Sequence, residues 1–339
     1  MSRHALVLAS VLLSACTLQH TSRSTSVGMD DHTSHMSAAD MVAPSSDRSL
    51  GGTRQGTPGL PASAQTAAAR LQASPRHGEW VKISWEPGST DSLMAWIVYP
   101  SNAKKAPVVV VVHEIFGLST WVRSVADQVA AEGFIAIAPD FLSRVRGGPS
   151  NEELASDTAV KLIRGVNAAE RNRAIIAAAN FAMMQPSATQ KYSVIGYCWG
   201  GQTTFFHAIN GGVKGFSGGV AFYGLPFMSG GSPATATTAA VAATIVSDSL
   251  AKIKVPVMLL NGSKDARIAA AMPALDSIMK ALGKNYTAMN YEGAVHGFLR
   301  AQNDQKAVRD EGEEAANFAA AKDGWPRTVA FLKKNMGVK

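Results

Sequence analysis

The sequence has few cysteines, and its first 79 residues contain no aromatic residue. Two cysteines in 339 residues exclude a disulfide scaffold and any four-cysteine zinc module. The 6 Trp, 6 Tyr and 12 Phe all lie at or after Trp80. Residues 17–78 are rich in Ser, Thr, Ala, Gly and Pro, so we expect them to bury too little apolar surface to offset the entropy of ordering. We therefore predict a folded body over residues 79–339.

The sequence also lacks a block of basic residues. Its 32 Lys and Arg against 25 Asp and Glu give a net charge of +7, and no basic stripe is interleaved with aromatic residues. Nucleic-acid binding requires such a concentration of positive charge, so we expect no nucleic-acid partner. A hydrophobic fraction of 46% excludes a wholly disordered chain.

The N-terminus has the pattern of a secretory signal. A basic start is followed by an apolar run over 5–13 and by the small residues Ser14 and Ala15, and this run is too short to span a membrane. Residues 13–16, Leu-Ser-Ala-Cys, resemble the lipobox of bacterial lipoproteins. That resemblance implies removal of a signal peptide, residues 1–15, and attachment of a diacylglycerol to Cys16. An ordinary signal peptide with a chance cysteine is the alternative.

If the lipobox functions, its lipid anchors the protein in the bacterial cell envelope, in the periplasm or at the outer membrane. Residues 16–78 would then be the anchor cysteine and a disordered tether. The Asp and His residues at 30–35 lack a folded scaffold to fix ligand geometry, so we predict no metal site there.

Strands and helices alternate through the rest of the sequence. Residues 80–85 and 93–99 form a predicted hairpin, and the β-branched run at 107–113 is typical of a strand buried on both faces. Further strands are predicted at 134–138, 191–195, 217–223, 255–261 and 285–291. Helices are predicted at 121–132, 151–164, 167–184, from after residue 201 to about 210, at 271–283 and at 325–335. This order predicts the α/β class, with a doubly wound, mostly parallel sheet and helices on both faces. Residues 226–251, rich in Gly, Ala, Thr and Ser, are predicted to be a surface insertion.

Residues 196–200 read Gly-Tyr-Cys-Trp-Gly, between a predicted buried strand and a predicted helix. In that context the pattern is typical of a nucleophile elbow, whose flanking glycines allow a strained turn close to neighbouring backbone. Cys198 would be the nucleophile, with the helix N-terminus favouring its thiolate. A buried structural cysteine beside a glycine turn is the alternative.

A cysteine nucleophile needs a base and an acid that orients it. Asp265 follows the strand predicted at 255–261, and His296 follows the strand predicted at 285–291. The carboxyl ends of parallel strands meet at one edge of the sheet, so we expect both side chains near Cys198. The order nucleophile, acid, histidine is that of the α/β-hydrolases.

The sequence resembles the dienelactone hydrolase family, a branch of the α/β-hydrolases, through most of residues 80–335. Four blocks carry the resemblance: His-Glu-Ile-Phe-Gly at 113–117, Ala-Pro-Asp at 138–140, the cysteine elbow at 196–201 and His-Gly-Phe at 296–298. The resemblance implies that Cys198 is the nucleophile, His296 the base and Asp265 its partner.

The resemblance also implies roles for residues around the triad. Glu114 would contact the resting thiol and help to activate it, and the backbone N–H groups of Ile115 and Trp199 would form the oxyanion hole. Arg300 would hold a substrate carboxylate, for which a guanidinium is well suited. Phe116 and Tyr197 would line the substrate pocket.

The family's second carboxylate-binding arginine has no clear counterpart in residues 151–157. Lys161, Arg164, Arg144 and Arg146 are the candidates to replace it. We predict a hydrolase of small-molecule esters or lactones, some carrying a carboxylate, that acts through a covalent acyl-enzyme without a metal or other cofactor. The alternatives are a thiol-dependent acyltransferase or peptidase, or a non-catalytic envelope binding protein with the same fold.

Overall fold

The computed structural model describes residues 56–86, 88–101, 105–150, 156–230, 243–302 and 312–338. The strands are β1 (Gly78–Ser84), β2 (Ser92–Val98), β3 (Ala106–Val112), β4 (Ile135–Pro139), β5 (Ala188–Tyr197), β6 (Phe216–Phe222), β7 (Met228–Ser229), β8 (Thr244–Ile245), β9 (Val257–Gly262) and β10 (Tyr286–Tyr291). The helices are α1 (Ala67–Gln72), α2 (Thr120–Ala131), α3 (Ser143–Arg146), α4 (Ser156–Ile163), α5 (Ala168–Met183), α6 (Trp199–Asn210), α7 (Ser247–Leu250), α8 (Ala266–Ala281), α9 (Phe298–Ala301) and α10 (Glu313–Met336).

Eight strands form one sheet in the order β1-β2-β4-β3-β5-β6-β9-β10. β1 and β2 form the predicted antiparallel hairpin, β2 pairs antiparallel with β4, and the remaining pairs are parallel. Every residue of β3 is buried, as its continuous β-branched run predicts for a central strand. The predicted α/β class and mostly parallel sheet are therefore confirmed.

The N-terminal boundary of the folded body is not where the sequence predicted it. Residues 56–77 pack on the domain: Leu60 and Ala62 are buried, and the Trp121 indole donates a hydrogen bond of 2.9 Å to the Ala62 carbonyl. The Ala64 N–H likewise donates to the Arg300 carbonyl at 2.9 Å. A disordered tether extending to residue 78 is thus wrong for residues 56–78, because small apolar side chains and backbone hydrogen bonds attach this segment without aromatic residues.

The predicted signal peptide at 1–15 and the predicted lipid site at Cys16 lie outside the described residues. So do residues 231–242 of the predicted insertion, whose two ends pair as the short ladder of β7 and β8. Among the helices that the structure describes, none combines the length and the apolar character needed to cross a bilayer.

Candidate active site

Cys198 lies on a sharp turn between β5 and α6. Its backbone has φ 56° and ψ −114°, a conformation that costs a residue other than glycine on the order of 1–3 kcal/mol. The residue is 5% exposed, and its N–H donates to the Phe222 carbonyl at 3.0 Å, which holds the turn against β6. The strand, strained turn and helix that the sequence predicted around this cysteine are all present.

Two glycines make the turn possible because they allow backbone segments to approach each other. A Cβ on Gly196 would lie 1.9 Å from the Gly200 carbonyl oxygen. A Cβ on Gly200 would lie 2.3 Å from the carbonyl oxygen of Val112, at the end of β3. A side chain at either position would displace the start of α6, and with it Cys198.

His296 and Asp265 are joined by a hydrogen bond of 2.6 Å between Nδ1 and Oδ2. Asp265 follows β9 and caps α8, where its other oxygen accepts from the Ile268 N–H at 3.2 Å. His296 lies on the loop between β10 and α9. Cys198 follows β5, so the three predicted residues meet at the carboxyl edge of the sheet.

The charges of the three groups reinforce one another. Burial opposes protonation of His296, but the negative charge of Cys198 and the hydrogen bond to Asp265 outweigh it and raise the pKa of the ring to about 10. Burial likewise opposes ionisation of Asp265, but the hydrogen bond from His296 holds the pKa of this carboxyl below its usual value. The pair of His296 and Asp265 therefore favours an imidazolium beside a carboxylate.

The loop after β3 approaches the start of α6 closely. A Cβ on Gly200 would also lie 2.7 Å from the His113 carbonyl oxygen, so the predicted oxyanion donors, Ile115 and Trp199, belong to adjoining segments. His113 Nδ1 donates to the Glu114 carbonyl at 2.6 Å, and the His113 ring stacks on Trp199 with centroids 5.8 Å apart. Burial lowers the pKa of His113, which keeps the ring neutral and able to orient this loop.

Glu114 and Arg300 form a buried ion pair. Oε2 of Glu114 lies 3.0 Å from Nε of Arg300, at an angle outside hydrogen-bond geometry, and their side chains are 4% and 10% exposed. The Arg300 guanidinium also lies 5.7 Å from the centre of the half-buried Phe116 ring. Three residues predicted to act on the substrate or the thiol are thus together, and Glu114 neutralises Arg300 in the free protein.

Of the proposed replacements for a second substrate-binding arginine, two bind other groups and two are exposed. Arg144 pairs with Asp91 and Glu170 and stacks over Trp85 at 4.1 Å, which attaches α3 to the hairpin. Arg146 donates a hydrogen bond of 2.7 Å to the Pro149 carbonyl. Lys161 and Arg164 are exposed.

Sequence reasoning missed a different buried arginine. Arg171 of α5 is 4% exposed, and its guanidinium lies 4.3 Å from the centre of the Trp199 ring. It donates to the Gln202 side chain at 2.9 Å and to the Val166 carbonyl at 3.1 Å. Arg171 therefore supports the first turn of α6, directly after Cys198. No local pattern identifies it, because α5 and α6 are brought together only by the sheet.

Tyr223 is the second residue that the sequence did not identify. It follows β6 with φ 40°, and its ring centre lies 4.8 Å from that of His296. Tyr197, predicted to line the substrate pocket, is fully buried, with its ring 6.3 Å from that of Tyr223. Both tyrosines therefore lie beside the triad.

Metal ligation is the other chemistry that such a site can support. In the part of the chain that the structure describes, no three His, Cys, Asp or Glu side chains are grouped so that they could hold a metal ion.

The model of the dienelactone hydrolase family matches residues 93–336. The chain belongs to the dienelactone hydrolase family. A Methylorubrum extorquens protein named "Putative carboxymethylenebutenolidase" is 30% identical over 277 residues, which cover 81% of this chain and 86% of that protein. The family and this relative indicate a hydrolase.

Solved structures show the same fold. The crystal structure of a "Putative Dienelactone Hydrolase" from Klebsiella pneumoniae aligns with TM-score 0.57 and 25% identity, covering 76% of this chain and 99% of that one. The acylaminoacyl peptidase of Pyrococcus horikoshii aligns with TM-score 0.53 and 14% identity, over 80% of this chain and 44% of that one. Because only 14% of the aligned residues are identical, the similarity to the acylaminoacyl peptidase concerns the fold alone.

Proposed function

We propose that this dienelactone hydrolase family member hydrolyses ester or lactone bonds through Cys198, His296 and Asp265. The observation that carries the proposal is the strained Cys198 turn at the start of α6, beside a histidine whose pKa is raised to about 10. A thiolate at a helix N-terminus is a strong nucleophile at neutral pH. The hydrogen bond to Asp265 fixes the ring of His296 so that its Nε2 is directed toward the reacting atoms.

The thiolate of Cys198 attacks the carbonyl carbon, and the carbonyl oxygen takes the negative charge. The N–H groups of Ile115 and Trp199 stabilise that oxyanion. The C–O bond to the leaving oxygen then breaks, and the protonated His296 donates its proton to that oxygen. The product of this half-reaction is a thioester on Cys198; with a lactone, the ring has opened and the alcohol remains attached to the acyl group.

The second half-reaction hydrolyses the thioester. Neutral His296 removes a proton from water, whose oxygen attacks the acyl carbon, and the C–S bond breaks to release the acid and the thiolate. Asp265 stabilises the imidazolium in both halves. Arg300 binds a carboxylate on the substrate, Glu114 helps to activate the thiol, and Phe116 and Tyr197 line the pocket.

A chromogenic short-chain ester tests the reaction on the full chain. The wild-type protein is expected to hydrolyse it and to accumulate a thioester that mass spectrometry finds on Cys198. Cys198→Ala is expected to lose at least about 10³-fold in rate. Equal rates in the two proteins, or an acyl group on another residue, would refute the triad. Cleavage of a matched amide at a similar rate would favour the peptidase alternative.

We also propose that Cys16 carries a diacylglycerol and attaches the protein to the bacterial cell envelope. The proposal depends on the Leu-Ser-Ala-Cys motif at residues 13–16. Mass spectrometry of the N-terminal peptide from membrane-extracted protein is expected to show cleavage before Cys16 and a lipid on it. An unmodified Cys16, or cleavage at another residue, would contradict the proposal.

A further inference from the structure

Residues 56–77 form an N-terminal segment that lies against the part of the fold carrying Arg300. The Ala64 N–H donates a hydrogen bond of 2.9 Å to the Arg300 carbonyl. The Pro61 carbonyl accepts a hydrogen bond of 3.0 Å from the side chain of Gln302, which is 2% exposed. The N-terminal segment is thus bonded to the backbone of a residue proposed to bind the substrate, and to the side chain two residues after it.

The helix α9, which carries Arg300, is a single turn of four residues. A helix this short is not stable by itself, and its last carbonyl groups have no donors within the helix. The Leu299 carbonyl accepts from the Gln302 side chain at 2.8 Å, and the Arg300 carbonyl accepts from the Ala64 N–H. The C-terminal end of α9 is therefore capped in part by the N-terminal segment.

The N-terminal segment is in turn attached to α2. The Trp121 indole donates to the Ala62 carbonyl at 2.9 Å, and Arg70 donates to the Gln128 side chain at 2.7 Å. The Trp121 ring packs edge-on against that of Tyr197, with centroids 5.0 Å apart, which joins α2 to the strand that leads to the nucleophile. Since the segment is held on this side, the backbone of α9 is bonded to a fixed donor.

Ala64 is the second residue of a reverse turn. The Thr66 N–H donates to the Ser63 carbonyl at 3.2 Å, and the Ser63 N–H donates to the Thr66 hydroxyl at 3.0 Å. The N–H of the second residue takes no part in the hydrogen bond that closes such a turn. The turn therefore leaves the Ala64 N–H for the Arg300 carbonyl.

The backbone position of Arg300 matters because its side chain has little room to adjust. The side chain is 10% exposed, and its guanidinium lies 5.7 Å from the centre of the Phe116 ring. A guanidinium binds a carboxylate best through two parallel hydrogen bonds, whose geometry is specific. A misplacement of about 1 Å in such a positioned group can cost on the order of 10²-fold in function. Movement of the α9 backbone would therefore displace the guanidinium from its binding geometry.

We propose that residues 61–64 position Arg300 and thereby set the preference of the site for substrates that carry a carboxylate. Ala64 and Gln302 are the positioning residues, and both act through the backbone of α9. The inference rests on the proposed role of Arg300 as the substrate's carboxylate site. It assigns a part in specificity to a segment that precedes residues 93–336, which match the family model.

Binding to the full chain carrying Cys198→Ala tests the inference without turnover. The probes are 5-oxotetrahydrofuran-2-carboxylate and γ-valerolactone, in which a methyl group replaces the carboxylate, and ligand-observed NMR titration gives both dissociation constants. Ala64→Pro removes one N–H and retains the turn, because proline is favoured at the second position of a turn. We expect it to weaken binding of the carboxylate about fivefold, the loss typical of one hydrogen bond, and to change binding of γ-valerolactone less than about twofold.

Gln302→Met is an independent second variant. It removes the hydrogen bonds to the Pro61 and Leu299 carbonyls while it keeps a side chain of similar length, and it is expected to weaken binding of the carboxylate at least about fivefold, again with little effect on γ-valerolactone. Thermal unfolding checks that each variant is folded, and either variant alone suffices for the test.

Two further substitutions in the N-terminal segment are matched controls. Ala64→Ser keeps the N–H that bonds to Arg300. Ala68→Pro places a proline at an exposed position in the first turn of α1, where proline is tolerated. Both are expected to leave the dissociation constants of both probes within about twofold of the parent protein.

Arg300→Gln distinguishes failure of the inference from failure of its basis. It is expected to abolish the preference for the carboxylate over γ-valerolactone. A parent protein without that preference, or an Arg300→Gln protein that retains it, would refute Arg300 as the carboxylate site and the inference with it.

Three other results would overturn the inference while leaving Arg300 as the carboxylate site. The first is unchanged binding of the carboxylate in both Ala64→Pro and Gln302→Met. The second is an equal loss for the two probes, which would mean that the N-terminal segment supports only the fold. The third is a loss in Ala68→Pro as large as that in Ala64→Pro. None of them affects the triad, whose failure would appear as absent ester hydrolysis by the wild-type chain.

Discussion

The side chains of His296 and His207 have little exposed surface, and Nδ1 of each ring makes a short hydrogen bond. His296 Nδ1 bonds to Asp265 at 2.6 Å, and its ring lies 4.8 Å from that of Tyr223. His207 of α6 is fully buried; its Nδ1 donates to Asn172 Oδ1 at 2.7 Å, and its Nε2 accepts from the Tyr192 hydroxyl at 2.9 Å. Yet the pKa is raised to about 10 for His296 and lowered to about 3 for His207.

The difference comes from the charge of the partners. Asn172 and Tyr192 are neutral, so burial alone acts on His207 and keeps the ring uncharged. Around His296 the negative charge of Cys198 and the hydrogen bond to Asp265 outweigh the same penalty. A carboxylate in place of an amide, together with the charge of Cys198, thus distinguishes a histidine with a raised pKa from one with a lowered pKa.

Asp265→Asn gives His296 the kind of partner that His207 has, and it is expected to have the largest effect. The amide cannot stabilise an imidazolium, so kcat for a chromogenic ester should fall about 10³- to 10⁴-fold. Steady-state kinetics measures the loss, and circular dichroism checks the fold. His207→Gln is the control and should keep kcat within about threefold of wild type once folded. Unchanged kcat in Asp265→Asn would show that the acid has no catalytic role.

Asn172→Asp makes the opposite exchange, giving His207 a carboxylate partner. The new carboxylate would lie at a half-buried position and bond to the neutral ring of the buried His207, so the free energy of unfolding at pH 7 should fall by about 2 kcal/mol. The same carboxylate should raise the pKa of His207, which the ring resonances report by NMR. Urea denaturation measures the stability. A variant as stable as the wild type, with an unshifted ring, would mean that partner charge does not control these histidines.

The pH dependence of stability gives the smallest expected effect. Because the pKa of His207 is about 3 in the fold and about 6.5 in the unfolded chain, the unfolded state binds the extra proton between these values. The free energy of unfolding therefore decreases as pH falls through this window, and His207 accounts for about 2 kcal/mol between pH 7 and pH 5. Urea denaturation of wild type and His207→Gln at both pH values measures it. Equal losses in the two proteins would contradict the buried, neutral state of His207.

Much of the fold and the order of the triad could be predicted from the sequence. The β-branched run of β3 and the glycines around Cys198 are local signals, since each reports burial or a tight turn at its own position. Asp265 and His296 could be placed because parallel strands bring their carboxyl ends to one edge. The contact between Nδ1 and Oδ2, at 2.6 Å, was the expected consequence.

The parts that could not be predicted depend on contacts between distant segments. Arg171 supports Trp199 from another helix, and Ala64 bonds to the backbone of Arg300 from the N-terminal segment. Residues 56–78 were predicted to be disordered because they contain no aromatic residue. Composition carries no information about the backbone hydrogen bonds that attach this segment to the domain. The Glu114–Arg300 ion pair also lies beyond sequence reasoning, since each residue was predicted to face a different partner.

A proton NMR titration of His296 and His207 in the wild-type protein shows whether the charge of the partners sets the pKa of each ring. His207→Gln and Cys198→Ala assign the resonances. We expect His296 to titrate near pH 10 and its pKa to fall well below 10 in Cys198→Ala. We expect His207 to stay neutral down to about pH 3. If His296 titrated near its ordinary pKa of about 6.5 in both proteins, Cys198 would have no part in raising it.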